Sequence, residues 1–141
     1  MLLVVVAPLL LASPAQSTLN TQFWLFTREN VDTPELMEFD GETAAVGPSW
    51  DPARPTKLVA HGWGGKTHID LIFAAAYARA GLDYNVIGVD WRGMEGPARE
   101  QVVEVGKYAA RFLVSLADSH GLQLHSAHPI GFSYGAHVVG G

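Results

Sequence analysis

Three short apolar segments, separated by two longer helix-forming segments, constrain the fold of this chain more than any other feature. The apolar segments are residues 55–60, 85–91 and 127–132, and each is apolar enough to predict a buried strand. Residues 67–81 and 97–121 lie between them. These connections are long enough for right-handed crossovers between parallel strands. The order therefore predicts an α/β fold with a parallel sheet.

Capping residues and periodicity predict where the two helices begin and end. Thr67, with Asp70 three positions on, is close to a capping box, and Gly81 is a natural stop. Pro97 fits the first turn of the second helix, and Gly121 ends it. The second helix is amphipathic. Its predicted apolar face holds Val102, Val105, Ala109, Phe112, Leu113 and Leu116, and its predicted polar face holds Glu100, Glu104, Lys107, Arg111, Ser115 and Asp118.

Residues before the first apolar segment are mostly loop. Residues 21–27 predict an early strand, and residues 30–55 predict a loop rich in Pro and Gly, with a short strand near 36–39. The composition, 48% hydrophobic and 16% charged, is that of a globular chain with a sizeable core. A net charge of −5 without a basic run argues against a nucleic-acid partner, and the absence of Cys excludes disulfide and thiol chemistry in these residues.

Residues 1–17 predict a secretory signal peptide, followed by a mature chain from residue 18. The apolar run of residues 2–12 is too short to span a bilayer as a helix, and small residues at 13–17 offer a cleavage site. No Lys or Arg precedes the run, so a strand or helix of the mature fold remains an alternative. We expect a secreted, extracellular protein without a transmembrane segment.

The spacing G-x-S-x-G occurs at residues 131–135, where it separates a predicted strand from a short apolar stretch that could open a helix. A tight turn there would expose the hydroxyl of Ser133 and strain its backbone. Glycine at 131 and 135 would remove two side chains that would otherwise crowd each other. The alternative is a chance match in a chain with 15 Gly.

A second Gly-rich loop, residues 61–65, follows the first buried strand. An acyl-transfer site needs donors for the oxyanion, usually the N–H of the residue after the nucleophile, here Tyr134, and an N–H from an earlier loop. Glycines let the backbone approach a ligand closely. This loop is therefore a candidate for the second donor, although many such loops bind nothing.

With these motifs, residues 21–141 resemble the secreted animal lipases of the pancreatic lipase type, which include triacylglycerol lipases and phospholipases A1. The resemblance rests chiefly on the runs RPTKLVAHGWGG, NVIGVDWRG and IGFSYGAHVVGG and is greatest to arthropod members. It implies an α/β-hydrolase fold, with Ser133 as the nucleophile and the N–H groups of Trp63 and Tyr134 as the oxyanion hole. It implies no cofactor and no metal, and a lipid ester at a lipid–water interface as the substrate.

The triad of this family continues with an Asp and then a His downstream of the serine. The eight residues after Ser133 contain no Asp, and His137 is their only His, at a position where the family keeps a non-triad His. We therefore expect residues 18–141 to be the N-terminal part of an α/β-hydrolase domain, ending just after the nucleophile elbow, and inactive alone. The alternative is a non-enzymatic, lipid-binding or yolk-protein-like member of the fold.

Several other residues admit a catalytic or binding interpretation. Asp90 precedes the serine, against the chain order of this fold, so we expect a structural role for it. His120, His125 and His128 suggest a metal cluster, but positions 125 and 128 would face opposite sides of a strand. Trp63 and Trp91 either line the acyl site or pack in the core. Pro129 either precedes the last strand or leaves a gap in its ladder.

Overall fold

A computed structural model describes residues 19–63 and 75–141 and places five strands in one mixed sheet. The strands are β1 Gln22–Phe26, β2 Glu35–Met37, β3 Thr56–Ala60, β4 Asn85–Asp90 and β5 Ala127–Gly131, in the order β2-β1-β4-β3-β5. Strand β3 pairs in parallel with β4 and β5, whereas β1 pairs antiparallel with β2 and β4. The parallel strands β4, β3 and β5 confirm the predicted α/β arrangement.

Two helices are described in full, α1 Ala98–His120 and α2 Gly135–Gly140. Helix α1 begins directly after Pro97, and it ends at Gly121, which has φ +74° and donates its N–H to the carbonyl of Leu116. Residues 75–79 are also helical, and Gly81 follows them with φ +77°. A glycine tolerates this left-handed conformation without a Cβ clash, so the predicted stops at both glycines are confirmed.

Three sequence predictions concern residues outside the described ranges. They are the signal peptide at 1–17, the Thr67 helix start and the second half of the Gly-rich loop, Gly64 and Gly65. Within the described ranges, no helix is long and apolar enough to cross a bilayer.

Helix α1 packs its apolar face on the sheet and forms most of the core. The Phe112 ring stacks on Phe23 of β1, with centroids 3.8 Å apart. The prediction that Ser115 lies on the polar face is wrong, because its side chain is 7% exposed and its Oγ accepts a hydrogen bond from the Ala44 N–H at 2.8 Å. The loop between β2 and β3 covers this side of the helix. Tyr108 also reaches that loop, donating its hydroxyl to the Phe39 carbonyl at 3.0 Å.

Pro129 lies inside β5, opposite Leu58 of β3. The N–H of Phe132 donates to the Ala60 carbonyl at 3.0 Å, so the even-numbered residues of β5 direct their N–H groups towards β3. The N–H that proline lacks would therefore point away from β3. The β3–β5 ladder is complete, and neither of the two predicted alternatives, a later strand start or a gap in this ladder, is needed.

Candidate active site

Ser133 occupies the sharp turn between β5 and α2. Its φ of +54° makes it the one non-glycine residue of the described chain in the left-handed region. Two backbone hydrogen bonds hold the turn, from Phe132 to the Ala60 carbonyl at 3.0 Å and from Gly135 to the Phe132 carbonyl at 2.8 Å. This conformation costs a non-glycine residue roughly 1–2 kcal/mol. The strain predicted from the motif is therefore present, and Ser133 is exposed to solvent.

The two glycines of the motif lie where no side chain fits. A Cβ on Gly131 would lie 2.3 Å from the carbonyl oxygen of Gly135 and 2.4 Å from the Cα of Ala136. A Cβ on Gly135 would lie 2.2 Å from the carbonyl oxygen of Ala60. The predicted crowding between positions 131 and 135 is confirmed. Gly135 in addition lets the new helix begin directly against the end of β3.

Gly62, in the loop after β3, lies beside Ser133. A Cβ on Gly62 would be 3.2 Å from the Cβ of Ser133 and 3.6 Å from its Oγ. Trp63 follows with a side chain that is 57% exposed, and Tyr134 precedes α2. Neither the N–H of Trp63 nor that of Tyr134 donates to another described residue. The structure thus brings the Gly-rich loop and the serine together, with two backbone donors near them.

His61 anchors this loop through a buried network that the sequence analysis missed. Its side chain is 3% exposed, and its ring stacks on that of Trp91 with centroids 5.0 Å apart. The Trp91 N–H donates to His61 Nε2, and the Trp91 indole N–H donates to the His61 carbonyl, both at 3.0 Å. Trp91 is therefore a core residue that ties the end of β4 to the end of β3.

The ring of His61 also fixes the peptide that carries the candidate donor. Because Nε2 accepts a hydrogen bond, the proton of the neutral ring lies on Nδ1. Nδ1 is 2.5 Å from the Gly62 carbonyl oxygen and donates to it. The carbonyl of Gly62 and the N–H of Trp63 belong to one planar peptide and point in opposite directions. Holding the carbonyl therefore orients the N–H.

Asp90 completes this network and pairs with Arg92. Arg92 donates through Nε to the Asp90 carboxylate at 2.8 Å and through Nη2 to the other oxygen. Burial alone would raise the pKa of Asp90, but the hydrogen bonds from Arg92 outweigh it and hold that pKa well below its usual range. Asp90 Oδ1 is 3.6 Å from His61 Nε2. The carboxylate is engaged at the end of β4, which supports the structural role expected for it.

The comparisons with known proteins agree with this arrangement. A family model described as Lipase matches residues 3–141. The chain belongs to the lipase family, of the pancreatic lipase type. The family implies the α/β-hydrolase fold, and the mixed, mostly parallel sheet is consistent with the N-terminal part of that fold.

Individual relatives include two kinds of active lipase and one inactive protein. The chain is 37% identical to rat phospholipase A1 member A over 88% of its length and 28% identical to coypu pancreatic triacylglycerol lipase over 97%. It is 27% identical to mouse inactive pancreatic lipase-related protein 1 over 96%. It spans 28%, 31% and 30% of these proteins, respectively.

The remaining histidines of this lipase-family chain are held elsewhere. His120 Nε2 contacts the Ala44 carbonyl at 2.7 Å, and His128 Nδ1 lies 2.9 Å from Lys57 Nζ. His137 is exposed on α2, with its ring 6.0 Å from that of Tyr134. In residues 19–63 and 75–141, no three His, Cys, Asp or Glu side chains are grouped to hold a metal ion.

Proposed function

We propose that this chain is the N-terminal part of a secreted hydrolase that cleaves carboxylic esters of lipids, with Ser133 as the nucleophile. The observation that carries the proposal is the strained, exposed Ser133 beside Gly62 of the Gly-rich loop. A hydroxyl on such a turn can approach an ester carbonyl with little obstruction from its neighbours.

The chemistry follows from the groups around Ser133. Its Oγ would attack the ester carbonyl while a base takes the proton. The N–H groups of Trp63 and Tyr134 would stabilise the oxyanion of the tetrahedral intermediate. The intermediate would release the alcohol, leaving the fatty acid bound to Ser133 as an acyl-enzyme, and water would then release the acid. We assign the base and its orienting acid to a His and an Asp that follow residue 141 in the longer protein.

A lipid substrate at a lipid–water interface is supported by the relatives and by the surface around Ser133. Phe132, Tyr134 and Trp63 are large hydrophobic residues that are exposed here. Aromatic side chains suit interfaces that are apolar on one side and wet on the other. The relatives include a phospholipase A1 and a triacylglycerol lipase, so both ester classes are candidate substrates. Secretion is supported by the signal-peptide pattern of residues 1–17.

The test is replacement of Ser133 in the full-length protein that carries these residues. Ser133→Ala should lower turnover of an emulsified lipid ester by several orders of magnitude and abolish labelling by a fluorophosphonate, with the fold retained. Ser119→Ala, at an exposed serine of α1, is the matched control and should change neither. Near-normal activity of Ser133→Ala would reject the assignment.

The second candidate function is non-enzymatic lipid binding on the same fold. The similarity to an inactive pancreatic lipase-related protein favours it. The same fluorophosphonate experiment separates the two, because only an activated serine reacts. Binding of lipid by an unlabelled full-length protein without turnover would support this second function.

A further inference from the structure

We propose that Arg99 makes this site selective for phospholipids by pairing with the headgroup phosphate at the mouth of an apolar groove. The inference rests on the proposed ester hydrolysis at Ser133. The groove has a volume of about 570 Å³ and is lined by Arg99, Val102, Val103, Tyr134, His137 and Gly141. Grooves of this size commonly hold a small-molecule ligand.

The topology places this groove at the edge of the sheet that carries Ser133. Helix α1 follows the carboxyl end of β4, and α2 follows the carboxyl end of β5. Both strands run parallel to β3, so both helices begin at the same edge of the sheet. Arg99 lies in the first turn of α1, and Tyr134 lies directly before α2 and next to Ser133. A lipid ester at Ser133 can therefore reach both residues.

The lining of the groove matches an anionic amphiphile. Val102 and Val103 supply an aliphatic wall, and Val103 is 52% exposed. Arg99 is exposed, forms no salt bridge with another described residue, and shares the groove with no Asp or Glu. A guanidinium binds phosphate oxygens through two parallel N–H donors. A fatty chain along the valines would leave a phosphate within reach of Arg99, whereas an uncharged glyceride would gain nothing from this charge.

The experiment compares two substrates that differ only in the headgroup. The full-length protein would be assayed on dioleoylphosphatidylcholine and on dioleoylglycerol, each in the same neutral detergent micelles. Arg99→Gln should lower kcat/KM on the phospholipid by about three- to ten-fold, the range for a partly exposed charge pair, and leave the diacylglycerol rate within two-fold. Arg99→Lys should restore part of the loss.

Arg111→Gln is the matched control, because Arg111 is an exposed arginine of the same helix that lies over the Tyr108 ring and outside the groove. It should not change the ratio of the two rates. An equal effect of both arginine variants, or an unchanged ratio in Arg99→Gln, would overturn the proposal while Ser133-dependent hydrolysis stands. Hydrolysis of neither substrate by the parent protein would instead overturn the proposed function, and this inference with it.

Discussion

Gly62 determines how closely the loop after β3 can approach Ser133. The position of a Cβ there, 3.2 Å from the Ser133 Cβ, is tighter than most contacts, and the larger side chain of valine would have to displace the loop or the serine. Gly62→Val should therefore move the Trp63 N–H and lower kcat by roughly 100- to 1,000-fold, the cost of losing one oxyanion donor.

Gly140→Ala is the control for this substitution, since nothing lies within 4 Å of a Cβ at position 140. Steady-state kinetics of both variants in the full-length protein would check the prediction. A catalytic rate of Gly62→Val within a few-fold of the parent would show that Trp63 is not the donor.

Asp90 should stabilise the protein in a pH-dependent way. Its folded pKa lies below the ordinary value of 3.8, so its contribution is present above that value and is lost as the pH falls towards the folded pKa. Asp90→Asn should therefore reduce the free energy of unfolding by about 1–3 kcal/mol near neutral pH. The difference from the parent should shrink below about pH 3.

Urea unfolding of the full-length protein at both pH values would measure this difference. Asp118→Asn, at an exposed residue of α1 without an ion pair among the described residues, is the control and should have little effect. A constant deficit for Asp90→Asn at both pH values would contradict the assignment of charge to the Asp90–Arg92 pair.

The sequence revealed the parts of this site that depend on local backbone chemistry. Glycines at 62, 131 and 135 are visible because each marks a close approach, and the structure confirms all three. The network of His61, Trp91 and Arg92 was missed, because its hydrogen bonds join the ends of two strands and depend on which side-chain rotamers meet there. A polar residue at the end of each of two parallel neighbouring strands was the available signal.

Among the secondary-structure elements, α1 shows how far periodicity alone can be used. Its bounds and its apolar face were predicted, but the loop that crosses it near Ala44 has no periodic signal in the sequence. Ser115 adjoins the apolar stripe and becomes buried where that loop crosses. The antiparallel position of β1 beside β4 was likewise not predictable, because short strands do not encode their partners.

Ser115→Ala should destabilise the full-length protein by about 1–2 kcal/mol, because it leaves the Ala44 N–H buried without its acceptor. Ser119→Ala, one turn further along α1 at an exposed position, should change the free energy of unfolding by less than about 0.5 kcal/mol. Thermal or urea unfolding of the two variants would measure the difference. Equal stabilities would show that the hydrogen bond to the loop contributes nothing.

For the molecule as a whole, we expect residues 18–141 alone to show no Ser133-dependent turnover. No Asp or Glu follows Ser133 in these residues, and His137 lies exposed on α2. A serine without a base and an orienting acid is a weak nucleophile. Hydrolysis of a short p-nitrophenyl ester by residues 18–141, compared with the same chain carrying Ser133→Ala, would check this. Robust Ser133-dependent turnover would contradict the downstream triad.

Pro129 affects how β5 could associate with other chains. The outer edge of β5 is formed by residues 127, 129 and 131, of which Ala127 already donates its N–H to the Leu124 carbonyl and Pro129 has none. Within β5, Gly131 alone can donate outwards. An edge with one donor is a poor template for another strand, because cross-β growth needs a donor and an acceptor at every second residue. The strand that carries the serine is thus guarded against fibril formation by a single imino acid.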